Sequence, residues 1–86
     1  MADQLLQIAT FYTHTGAMEF YALLKEKGED AAEIGPVPRR FSVSCGTGVR
    51  FYLPFKEEYL NPDVEFIYRA IPEEKDKYDR IWSAED

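Results

Sequence analysis

Cysteine, histidine and tryptophan each occur once among the 86 residues. One cysteine cannot close an internal disulfide, so a reducing cytoplasm is the expected compartment. One His and one Cys also fall short of the ligands that zinc takes, no spacing with Asp or Glu makes up the number, and so no metal or other cofactor is expected. Cations are scarce: ten Lys and Arg stand against sixteen Asp and Glu, a formal charge of −6. That balance repels phosphates, which excludes a generic nucleic-acid binder and a protein held on anionic lipid. No apolar run approaches the roughly 20 residues of a membrane helix. Residues 1–6 include Asp3 and no Lys or Arg, unlike a secretion signal. Gly46-Thr47-Gly48 lacks the length and the lysine of a phosphate loop.

What the chain does have is apolar content, 45% of residues, with 15% aromatic. That suffices for one folded domain over residues 1–86. A domain of this size buries only roughly 60% of the surface its unfolded chain exposes, so docking against a second copy or another protein would add stability.

Leu5–Tyr12 is short, apolar and rich in Ile, Phe and Tyr, a strand signal. Thr13 or Thr15 can cap a helix whose stripe is Ala17, Phe20, Tyr21 and Leu24, closing at Gly28. Glu29–Val37 is expected as a second strand, and Arg39–Gly46 as a loop. Thr47–Leu53 alternates, with Val49, Phe51 and Leu53 on one face and Arg50 and Tyr52 on the other. A single helical turn is expected at Lys56–Leu60. Val64–Ile71 is a fourth strand, with Val64, Phe66, Tyr68 and Ala70 expected on one face. Pro72, Glu73 and Glu74 suit the first turn of a helix over residues 72–82. Its wet face would pair Glu73 with Lys77 and Asp76 with Arg80, and Tyr78, Ile81 and Trp82 would make its apolar contact. The expected fold is therefore α+β: a small two-layer sandwich, three to four strands in an antiparallel or mixed sheet with two helices, in a degraded ferredoxin-like order.

Residues 34–55 contain no Asp or Glu but include Arg39, Arg40 and Arg50. The lone cysteine, Cys45, lies inside that cationic stretch. A thiol reacts as its thiolate, which nearby cations and converging backbone N–H groups favour. Gly46 and Gly48 permit the backbone to adopt conformations that present N–H groups to an anion. Arg39, Arg40, Arg50 and Gly46 are thus candidates to stabilise an anionic sulfur at Cys45, and His14 is the one candidate proton acceptor. The competing reading is structural: a lone cysteine is commonly a small buried hydrophobe, and Arg50 a surface strand residue.

Three motifs occur in order: Phe11-Tyr12-Thr13-His14-Thr15-Gly16-Ala17-Met18-Glu19, then Pro36-Val37-Pro38-Arg39-Arg40, then Ser42-Val43-Ser44-Cys45-Gly46-Thr47-Gly48-Val49-Arg50. Together they resemble the selenium/sulfur carrier-like family of small bacterial proteins, over Leu6 to Leu53. The resemblance implies a carrier-like core over residues 5–71 and a cytoplasmic carrier in which Cys45 holds sulfur or selenium as a persulfide or perselenide. Its partners would be a chalcogen donor enzyme and an acceptor enzyme, and the protein would be a group carrier rather than a turnover catalyst. With no second cysteine to resolve a disulfide, one-thiol carriage suits the sequence better than disulfide exchange. The rival is a small acidic protein-interaction module that docks through Tyr78, Ile81 and Trp82. An enzyme built on Cys45 and His14 ranks last.

Overall fold

The computed structural model describes residues 5–41, 44–74 and 76–84. Among the described residues five strands form one sheet: β1 (Gln7–Phe11), β2 (Glu33–Pro36), β3 (Thr47–Phe51), β4 (Val64–Ala70) and β5 (Tyr78–Ser83). The one α-helix among the described residues, α1 (His14–Glu26), follows β1, and a 3-10 turn at Glu57–Tyr59 precedes β4. The sheet order is β2-β3-β1-β4-β5, and every neighbouring pair is antiparallel.

α1 forms where its stripe predicts. Thr13 is extended (φ −133°, ψ 156°) and its hydroxyl accepts the Gly16 N–H at 3.0 Å, the bond that satisfies one of the helix's unpaired first-turn donors. The helix buries Ala17, Phe20 and Leu24 across β1, β3 and β2. Phe20 sits between Phe11 and Phe51, with ring centroids 5.4 and 5.5 Å away. With Ala9, Val49, Val64 and Ile67 these rings form the main core on the front of the sheet. On the back, Val37 and Phe41 cover Ile8, joined by Tyr68 and Tyr78. Because both faces of the central strand are covered, all five residues of β1 are buried; this is why Leu5–Tyr12 shows an apolar run rather than alternation.

Three expectations are corrected. The fold is mostly β, with five antiparallel strands and one helix, not a sandwich of three to four strands with two helices. The order of the first four strands, β2-β3-β1-β4 with all neighbours antiparallel, is that of a ferredoxin-like sheet, but a 3-10 turn stands where its second helix would, and β5 is added beyond β4. The helix expected over residues 72–82 is a turn followed by β5. Ile71 N–H donates to Lys77 O at 2.9 Å, closing the turn, and Asp76 takes φ 63°. Tyr78 then opens a strand whose long ladder with β4 outweighs the local helix signals. Finally, Val64 does not share a face with Phe66 and Tyr68. A bulge lies between Thr10 and Phe11: Thr10 pairs with Phe66 and Phe11 with Val64, leaving Glu65 as the extra residue. The bulge flips the alternation, so Val64 joins the front core while Phe66 and Tyr68 face the back.

The second strand is also shorter than expected. Glu29, read as its start, is instead a buried carboxylate. Its Oε2 accepts the N–H groups of Tyr52 and of Leu53, the latter at 2.7 Å, and its Oε1 accepts that of Ala31 at 3.3 Å.

Candidate functional site

Cys45 is a free thiol, half-buried, in the turn that leads into β3. Gly46, with φ 76°, makes that turn, in the left-handed region that side chains other than glycine disfavour. Gly46 O accepts the Val37 N–H at 2.9 Å, which ties the residue immediately after the cysteine to the one that follows β2. The β1–β3 ladder runs as far as Thr10 opposite Gly48. Beyond it, the thiol sits between the two strand ends, Sγ lying 3.2 Å from Phe11 O and 3.7 Å from Thr47 O. In this rotamer the S–H is a donor to carbonyl oxygens. An attacking thiolate would gain from turning away from them.

Two polar groups flank the sulfur. Thr47, whose carbonyl faces Sγ, has its hydroxyl 3.3 Å from His14 Nδ1, so the first residue of α1 is joined to the residue two beyond the cysteine. The positive end of the helix dipole thereby lies at the same end of the sheet as the thiol, an arrangement that favours negative charge there. On the other side, Ser44 Oγ donates to Glu65 Oε2 at 2.8 Å, and Thr10 Oγ1 donates to Glu65 Oε1 at 3.2 Å. Glu65 is the bulged residue of β4 and only 4% exposed. Its carboxylate anchors the residue before Cys45 to the sheet.

The structure brings Cys45, Gly46 and, through Thr47, His14 to one place. It engages two of the arginines, Arg40 and Arg50, in other contacts. Arg40 is exposed, lies 4.8 Å over the Phe41 ring and borders the turn at Asp76, Lys77 and Tyr78, the opposite end of the sheet from Phe11 O. Arg39 is exposed beside it. Arg50 faces the back, across from Ile8, with Nη2 donating to Pro36 O at 3.3 Å. The acid-free stretch is contiguous in sequence but folds over the back of the sheet, so its charges spread along it. Ser42 and Val43 of the cysteine motif lie outside the described residues. Glu65 and Thr47 were missed by sequence reasoning; the available signal was an acid at the start of an otherwise apolar strand, Val64-Glu65-Phe66-Ile67.

Among the described residues no three His, Cys, Asp or Glu side chains assemble as a metal site, and no helix is long and apolar enough to cross a membrane. The proposed interaction residues Tyr78, Ile81 and Trp82 are half-buried on β5. Tyr78 packs edge-on to Phe41, and Ile81 and Trp82 pack against the main core.

A family model described as "Putative Se/S carrier protein-like" matches residues 7–83. The chain belongs to that family. The match extends well past Leu53, so β4 and β5 are part of the carrier-like unit along with the cysteine loop. Membership in a carrier family implies protein partners in general. No curated protein and no solved structure matches the chain.

Proposed function

We propose that this carrier-like protein holds one sulfur or selenium atom on Cys45 and passes it between enzymes. The observation that carries the reading is the placement of the only cysteine, half-buried at the splayed ends of β1 and β3, beside the N-terminus of α1. In the loading step the Cys45 thiolate attacks the outer sulfur of a donor persulfide, R–S–SH. The new S–S bond forms at Cys45, the donor S–S bond breaks, and the donor thiolate R–S⁻ leaves, giving Cys45–S–SH. A selenium atom transfers by the same displacement from R–S–SeH. The backbone N–H groups at the start of α1 and the imidazole of His14 are the groups disposed to hold the terminal anion, and His14 to take its proton. Arg40 lies over the Phe41 ring and Arg50 donates to Pro36 O. An acceptor enzyme then removes the atom in the reverse sense, so the protein turns nothing over by itself. Its working compartment is proposed as the cytoplasm, where the thiol stays reduced.

The test is loading. The protein is incubated with a cysteine desulfurase and cysteine or selenocysteine, and its intact mass is read beside that of Cys45→Ser. One added chalcogen atom, removed by thiol reductant and absent from the serine variant, is expected. An unchanged mass, together with slow alkylation of Cys45 even at raised pH, would leave an interaction module without chemistry of its own.

A further inference from the structure

The back of the sheet carries a chain of rings and cations that the carrier chemistry does not use. Arg80 lies 4.8 Å over the Phe66 ring. From Phe66 the contacts run to Tyr68 at 5.9 Å, from Tyr68 to Phe41 at 5.0 Å, and from Phe41 to Tyr78 at 5.0 Å, with Arg40 over Phe41. Arg40, Phe41, Tyr68, Asp76, Lys77 and Tyr78 enclose an open hollow of about 220 Å³. Arg40, Lys77 and Arg80 are exposed; set against Asp76 and the buried Glu65, whose charge reaches Tyr68, they leave a patch of +1 on a chain of −6.

This combination selects its occupant. The rings are not stacking platforms: Phe41 is 6% exposed, and Tyr68 and Tyr78 meet it edge-on at 65° and 86°. Single-stranded nucleic acid needs open ring faces. A second copy docking through the same face would set Arg40, Lys77 and Arg80 against their own kind. Guanidinium groups held over rings are already restrained, so pairing with carboxylates costs less side-chain freedom. We propose that this hollow and its flanking guanidiniums dock an acidic segment of a partner protein. The proposal stands apart from the carrier reading, since a segment seated there binds whether or not Cys45 holds a chalcogen.

The probe is a short poly-L-glutamate added to the isotope-labelled full chain, with poly(dT) as the comparison, followed by two-dimensional NMR. Amide shifts concentrated at Phe41, Tyr68, Tyr78 and Arg80 are expected, weakening as salt is raised. They should be the same in Cys45→Ser. The double variant Arg40→Glu/Arg80→Glu should bind about tenfold more weakly or less, and Arg40→Glu alone, at an exposed loop position, gives the same reading if the double variant fails to fold. Shifts scattered away from this face, tighter binding of poly(dT), or concentration-dependent shifts without any peptide would each overturn the proposal. Loss of chalcogen loading with peptide binding intact would count against the carrier reading alone.

Discussion

At Gly46 the backbone takes φ 76°, and nothing lies within 4 Å of where a Cβ would stand. The obstacle to a side chain is therefore conformational rather than steric. Gly46→Ala should cost about 1–2 kcal/mol, read by denaturant unfolding, while Gly46→Asn, which tolerates the left-handed region, should cost less. If the two variants unfold alike, the turn beside Cys45 is not what sets the loop. Gly16 is the opposite case. A Cβ there would stand 2.3 Å from the Asp63 Cβ, because the first turn of α1 packs on the 61–63 turn, where Asn61 Nδ2 donates to Gly16 O at 3.1 Å. Gly16→Ala should destabilise by about 1–3 kcal/mol through overpacking, with Asp63→Gly restoring much of the loss; a neutral Gly16→Ala would contradict the packing described. The cysteine motif was legible because its residue types are rare and adjacent. The partners of Cys45 were not: Phe11 O and Thr47 O are backbone atoms brought in by strand pairing, and Glu65 reaches Ser44 only through a bulge. A charge run along the sequence cannot show that its arginines will be laid out over a whole sheet face.

The helix and the sheet are tied together at their far end by one carboxylate. Glu29, 7% exposed, follows α1 and accepts backbone N–H groups from Tyr52 and Leu53, just beyond β3. Glu29→Ala removes the acceptor of the Tyr52 and Leu53 N–H groups, and should cost about 2–4 kcal/mol. Glu29→Gln, which keeps one acceptor oxygen, should cost less. Equal losses for both, measured by chemical denaturation, would mean that the bonds contribute nothing beyond packing. At this scale α1 and β3 were legible from periodicity, since each buries one side and the pattern repeats without interruption. β5 was not. Pro72, Glu73 and Glu74 serve as a helix start or as a turn equally well, and a shift in register between Ile67 and Tyr68 breaks the alternation of β5 around Ile81. The choice is made by β4, whose open edge offers hydrogen bonds to the whole segment, and that information lies outside the segment itself.

Considered whole, the described residues form two unlike sides: a front sealed by α1 and a back covered by Val37, Phe41 and the tyrosines around them. Tyr68 is the hinge of the back, its hydroxyl donating to Phe41 O at 3.0 Å. Burial raises its pKa above the ordinary 10.0, assisted by the charge of Glu65 and opposed by Arg80. The folded state therefore keeps the phenol proton where the unfolded chain has begun to lose it. The stabilisation is fully present below pH 10.0 and is lost as pH rises through the folded value. Tyr68→Phe removes the hydrogen bond, lowering stability at neutral pH by about 1 kcal/mol, but it also removes the titrating group. Unfolding free energies followed into the alkaline range should fall more steeply for the native chain than for Tyr68→Phe, so that the gap between them narrows. The other tyrosines titrate in both proteins and cancel in the difference. Parallel curves across that range would show that Tyr68 keeps an ordinary phenol and that Phe41 is held over the sheet by packing alone.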